Sequence, residues 1–314
     1  MSASGSGYLA AAGAPEPSSV LVPGPWVHRE VAAHGQRFHL AECGDPSAPT
    51  VLLLHGFPEF WWSWRHQLVA LGAAGLHAVA VDLRGYGASD KPPLGYDGPS
   101  LAADVAGIVR ALGHTPATVV GHDWGAVLAM WAAALHPDVI DRVAVLSAAH
   151  PLRWRQAILR NEHGQAGLSA YMARFQLPRA DGWLLDDDAD EVARLLRAWG
   201  GPGFPDEETE RRCREALRIP GAAHSALEYY RWVVRSTVRP SGVRFTRRLR
   251  EPLTQPVLQL HGELDRCISV AAAAGSGRYV AGEYAFRPLP GLGHFVHEED
   301  PALVSRLLVD WCTR

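Results

Sequence analysis

A chain of 314 residues, 47% of them hydrophobic, is long enough to bury one large core and carry an insertion. Its formal charge of −3 and the expected lack of a basic run give no electrostatic footprint for nucleic acid or an anionic membrane, so neither is expected as a partner and a small, uncharged organic substrate is. The four cysteines, Cys43, Cys213, Cys267 and Cys312, lack Cys-x-x-Cys spacing, which argues against a zinc module and fits reduced thiols in a cytoplasmic protein.

Residues 1–25 are rich in Gly, Ala, Ser and Pro, without a basic n-region or a long apolar block, and read as a mobile leader. From residue 26 to 147, apolar strand signals at 50–54, 77–81, 117–120 and 143–146 alternate with helical windows at 62–74, 101–112 and 124–136. Runs that are apolar on both faces are those of buried parallel strands, so the order implies an α/β fold with a mostly parallel central sheet flanked by helices. After residue 147 the spacing turns helical and the composition rich in Arg, acids and aromatics, which reads as an inserted helical lid. Strand signals return at 256–260 and 284–288, and residues 301–312 supply a closing amphipathic helix. The expected division is a core of 26–147 and 251–314 with a cap of 148–250.

The stretch Val119-Val120-Gly121-His122-Asp123-Trp124-Gly125-Ala126 runs an apolar strand through a Gly-x-Asp-x-Gly turn into an Ala-rich helix. Small residues on both sides let the backbone bend sharply and lift the central side chain, so Asp123 is the candidate nucleophile. Such a carboxylate is ionised at neutral pH and needs no base before attack; it suits displacement at a saturated carbon, such as that of an epoxide or alkyl halide. The competing reading is that Asp123 only caps the following helix.

An ester formed on Asp123 needs a base that activates water. His294, in Gly291-Leu292-Gly293-His294-Phe295, follows the last strand signal; His297 competes with it. Asp265, in His261-Gly262-Glu263-Leu264-Asp265, is the candidate partner that orients the imidazole, with Glu263 and Asp82 as alternatives. Cleavage passes through an oxyanion that needs backbone donors: Trp124 N–H supplies one and Phe57 N–H, in His55-Gly56-Phe57-Pro58, the other. No Gly-x-Ser-x-Gly turn competes, since Ser89 and Ser147 lack the flanks. The nucleophile, acid, histidine order is that of α/β-hydrolases.

From about residue 26 onward the chain closely resembles the α/β-hydrolase fold epoxide hydrolases. His55-Gly56-Phe57-Pro58 resembles that family's oxyanion motif, whose proline is often cis. Gly85-Tyr86-Gly87-Ala88-Ser89-Asp90 resembles its second small-residue motif, and Gly121-His122-Asp123-Trp124-Gly125 its elbow, which haloalkane dehalogenases share. The resemblance implies two lid tyrosines that donate to the epoxide oxygen: Tyr171, upstream of Phe175-Gln176-Leu177-Pro178, and Tyr230, followed by Arg231, with Tyr229 as rival. It further implies conversion of a small hydrophobic epoxide to a vicinal diol without metal or organic cofactor. Haloalkane or haloacid dehalogenation is the runner-up, and a ligand-binding protein that keeps the hydrolase shell the third reading.

Overall fold

A computed structural model describes residues 13–314. Residues 1–12 of the expected leader lie outside the described residues. The remainder is docked rather than free: the 3₁₀ turn Pro17–Val20 buries Val20, and the Val20 carbonyl accepts the indole N–H of Trp61 at 2.8 Å. Val20 and Val22 are both buried, so apolar contact holds this part of the segment down.

In chain order the strands are β1 (Val27–Ala33), β2 (Gln36–Cys43), β3 (Thr50–Leu54), β4 (His77–Val81), β5 (Ala117–His122), β6 (Ile140–Leu146), β7 (Val257–Gly262) and β8 (Tyr284–Leu289). They form one eight-stranded sheet in the order β1-β2-β4-β3-β5-β6-β7-β8. The β1/β2 and β2/β4 pairs are antiparallel and the remaining five parallel. Every residue of β3, β4, β5 and β7 is buried, because helices cover both faces; this is why these strands read as continuous apolar runs.

The helices before β6 are α1 (Arg65–Ala73), α2 (Gly98–Leu112) and α3 (Trp124–Leu135). The expected helix over 62–74 is split, Trp61–Trp64 forming a 3₁₀ turn ahead of α1. Between β6 and β7 the described chain is helical throughout: α4 (Pro151–Leu159), α5 (Gln165–Leu168), α6 (Tyr171–Phe175), α7 (Ala180–Trp199), α8 (Glu207–Arg218), α9 (Ala222–Ser236) and α10 (Pro240–Arg248), besides a short 3₁₀ turn. Non-helical backbone at Asp186, Asp187, Asp188 and Ala189 breaks α7. The chain closes with α11 (Val270–Ala274), α12 (Val296–Glu299) and α13 (Pro301–Cys312). No helix of the described residues is long and apolar enough to cross a membrane.

Register places the functional candidates. Leu54 pairs with Gly121 and His122 with Leu146, so the loops after β3 and β5 leave the sheet at one level; Gly262 of β7 pairs with Leu289 of β8 and brings the segments carrying Asp265 and His294 to the same edge. Ligands of open α/β sheets bind at this carboxyl end of the strands.

Candidate active site

The turn between β5 and α3 holds Asp123 at φ 48° and ψ −115°, a conformation that costs a side-chain-bearing residue about 1–3 kcal/mol. Packing over-determines it. A methyl on Gly125 would collide with the Leu54 carbonyl, one on Gly121 with the Gly125 backbone, and one on Gly56 with Asp123 itself. The Asp123 backbone is tied at both ends, its N–H donating to Leu146 O and its carbonyl accepting from Val127 N–H, each at 3.1 Å. Its side chain makes no cap to α3. Instead Oδ1 accepts the Phe57 N–H at 3.0 Å, which answers the helix-cap reading. Phe57-Pro58 is a cis peptide. Trp124 opens α3, so its N–H is among the donors that a helix leaves without an intrahelical partner.

The second carboxylate oxygen of Asp123 faces Nε2 of His294 at 3.6 Å, an ion contact longer than a hydrogen bond. On the other side of that ring, Nδ1–H donates to Asp265 Oδ2 at 2.8 Å. Asp265 is held in turn by the N–H groups of Cys267 and Ile268 on Oδ1, at 2.7 and 2.9 Å. Burial would raise the Asp265 carboxyl, but His294, His261 and these backbone donors together hold it below the usual range. Burial would likewise lower His294; Asp265 first and then Asp123 overcome it and raise the imidazole to about 10. The pocket thus sets Asp123, His294 and Asp265 in a row, an arrangement that favours the charged form of the imidazole.

The alternatives are committed elsewhere. Asp82 accepts the N–H groups of Trp61 and Ala88 and faces His39. Glu263 is exposed. His297 faces Glu59 at 3.5 Å, not Asp123.

Beneath the site lies a buried layer that sequence reasoning did not reach. His122 Nδ1 meets Glu59 Oε2 at 2.7 Å while its Nε2 meets the carbonyl of His294 at 2.9 Å, so the residue before the nucleophile anchors the backbone of the imidazole. Glu59 directly follows the cis proline and His122 sits inside the elbow motif; only their pairing across 63 positions was hidden. Cys267 is the other omission: its Sγ lies 3.5 Å from the Tyr171 hydroxyl. Two buried groups, Glu59/His122/His297 and Asp123/Cys267/His294, have donor atoms spaced for a metal ion.

Tyr171 of α6 and Tyr230 of α9 line the same recess as Asp123, together with Trp124, Val127, Trp154 and Ile268. Burial raises both phenols well above their ordinary value, so each is a proton donor at neutral pH. The Tyr230 hydroxyl is buried beside the Trp124 indole without a hydrogen-bond partner at ordinary distance among the described residues. The Tyr229 hydroxyl instead donates to the Arg84 carbonyl at 2.7 Å, and Tyr229 does not line the recess. The recess shares Trp124, Val127 and Trp154 with a cavity of about 570 Å³ whose walls include Trp131, Met172, Trp232 and Phe245.

With this geometry in place, comparison with known proteins is informative. Residues 49–301 match the model of the alpha/beta hydrolase fold family. Epoxide hydrolase A of Mycobacterium tuberculosis is 31% identical over 91% of this chain and 97% of its own. The α/β-hydrolase superfamily protein YfhM of Bacillus subtilis is 30% identical over 90% of this chain and 96% of its own. Among solved structures, epoxide hydrolase A from Mycobacterium thermoresistibile superposes with a TM-score of 0.79 at 30% identity, over 92% of this chain and 98% of that one. An epoxide hydrolase from an endophytic Streptomyces gives 0.77 at 33%, over 92% and 96%. The chain belongs to the α/β-hydrolase fold family, in the company of its epoxide hydrolases.

Proposed function

We propose that the protein hydrolyses epoxides to vicinal diols through an ester on Asp123. The observation that carries this reading is the opposition, across one recess, of a carboxylate and two protonated phenols. An epoxide leaves as an alkoxide and needs a donor on its oxygen, which a halide does not; the tyrosines therefore favour an epoxide over an alkyl halide.

Phe57 N–H already holds Oδ1, so Oδ2 is the attacking atom. It forms a bond to one oxirane carbon from the side away from the tyrosines as the carbon–oxygen bond breaks and the ring oxygen takes a phenolic proton. Oδ1 then becomes the ester carbonyl oxygen, seated on the donor that must hold it as an oxyanion, with Trp124 N–H as the second donor. Ring opening uses no base, so an imidazolium at His294 does not impede it. Esterification removes the Asp123 charge that helps to keep the His294 proton. His294 gives that proton up, which restores the phenol, and the neutral ring takes one from water. Water oxygen adds to the ester carbon, the intermediate expels the diol oxygen with a proton, and the carboxylate returns. The substrate is expected to be apolar, because the cavity behind the recess is of the size that takes a drug-sized group and is lined mainly by aromatic and aliphatic side chains.

Single turnover in heavy-oxygen water tests the reading. The label must enter the Asp123 carboxylate, because the oxygen delivered to the diol comes from the protein. Label in the diol alone, with an unlabelled Asp123 peptide, would refute the covalent route.

A further inference from the structure

Contrary to the expectation that the chain has no basic run, its net charge hides a strongly polarised stretch. Residues 229–250, spanning most of α9 and all of α10, contain seven arginines and neither aspartate nor glutamate. Glu228 engages Arg231 and Arg235 from one end of this stretch, and Glu251 engages Arg248 from the other. Arg239, Arg244, Arg247 and Arg250, with Arg155 of α4, have no ion pair among the described residues and are exposed. Exposed apolar side chains stand among them: Leu159 is 74% exposed, Val238 86% and Val243 49%. Leu159 and Val238 also line the cavity, as do Arg155 and Val234, so they mark where it opens. Phe245 fixes α10 to that wall, its ring edge-on to Trp131 and Trp232 with centroids 5.1 and 5.3 Å away.

We propose that this face docks on the surface of an anionic lipid bilayer, without crossing it, and presents the cavity mouth to the lipid phase. Charge complementarity selects the partner: unpaired arginines attract acidic headgroups, while exposed Leu and Val at the same rim gain by leaving water. Nucleic acid would satisfy the arginines but leave the apolar rim in water; a bilayer satisfies both. The arrangement also gives lipophilic epoxides a route to Asp123 through the cavity that shares Trp124, Val127 and Trp154 with the recess. That use of the surface rests on the proposed epoxide hydrolysis, whereas the docking does not.

The test is sedimentation of the full chain with vesicles of phosphatidylcholine, with and without phosphatidylglycerol. Binding is expected to the anionic vesicles and to fall steeply with salt. An arginine near such a surface is worth roughly fivefold in partitioning, so the triple variant Arg239→Gln, Arg244→Gln, Arg247→Gln is expected to bind about a hundredfold more weakly. Val238→Asp should also weaken binding, through the lost apolar contact. Equal binding to both vesicle types, no loss in the triple variant, or displacement of the protein from vesicles by single-stranded RNA at equal phosphate would overturn the proposal. Turnover of a water-soluble epoxide is measured in parallel: vesicle binding without turnover overturns the enzymatic reading alone, and turnover without vesicle binding overturns the docking alone. If both hold, the triple variant loses turnover of an epoxide dissolved in anionic vesicles and keeps turnover of the soluble one.

Discussion

Removing the Asp123 charge should release the proton from His294. In the resting site His294 Nε2 lies 3.6 Å from Asp123 Oδ2, and the imidazole is raised to about 10. Two unit charges at that distance, with an effective dielectric of about 20, interact by about 4–5 kcal/mol, equivalent to roughly three pH units. Asp123→Asn keeps the size of the side chain and an oxygen for the Phe57 N–H, and it copies the charge of the esterified state. The His294 midpoint is therefore expected to fall to near neutrality, where the ring is free to take a proton from water. Nitrogen-15 histidine spectra recorded against pH would follow it, with His294 assigned by its loss in a His294→Gln variant. The sign follows for the chemistry as well: ester hydrolysis should rise with pH through that lowered midpoint, while ring opening, which needs no base, should not follow it. A midpoint in Asp123→Asn within about one pH unit of the parent would refute the reasoning, because the proton would then be held by Asp265 alone.

Three further outcomes separate the parts of the site. Tyr171→Phe and Tyr230→Phe should each slow ring opening by about a hundredfold or more in single-turnover kinetics, with ester hydrolysis little changed; Tyr229→Phe, which deletes the hydroxyl held by the Arg84 carbonyl, should slow ring opening less than either, leave ester hydrolysis intact and cost about 1 kcal/mol of stability through the unpaired carbonyl. Gly125→Ala pushes a methyl into the Leu54 carbonyl and should destabilise by about 3 kcal/mol in denaturant unfolding; a loss below about 0.5 kcal/mol would mean that the elbow can relax. Glu59→Gln weakens the buried hydrogen bond to His122 and should cost about 1–2 kcal/mol while slowing ester hydrolysis more than ring opening, because it loosens the anchor on the His294 carbonyl.

The elbow was legible because sterics leave a trace in composition: only glycine fits where Leu54 and Gly125 crowd the turn, so Gly121 and Gly125 announce Asp123 between them. The same holds for β3 and β4, whose ends match their apolar runs because both faces are covered. The hairpin of β1 and β2 was missed. Strand β1 lies at the sheet edge with most residues exposed or half-buried, so burial imposes no period on it, and its turn is the modest pair His34-Gly35, both with positive φ.

Contacts between distant segments left no such trace, and the two neighbouring tyrosines show why. Residues one apart on α9 point about 100° away from each other, so only one of Tyr229 and Tyr230 can face Asp123. Helix propensity offers no preference, since both are followed by residues that a helix accepts; only the family resemblance, through the Arg231 that follows it, singles out Tyr230. The decision rests with a backbone oxygen 145 residues away: the Arg84 carbonyl takes the Tyr229 hydroxyl and turns Tyr230 toward the recess. Arg84 is itself fixed by the two oxygens of Asp104 on α2 at 2.6 Å each, so the aim of Tyr230, the donor of the proposed reaction, is expected to depend on α2 as well as on its own helix. A change at Asp104 should therefore reach the chemistry: Asp104→Asn, which removes the charge that pins Arg84, is expected to slow ring opening without touching any group in the recess. Unchanged ring opening in a folded Asp104→Asn protein would show that Tyr230 is aimed by its own helix.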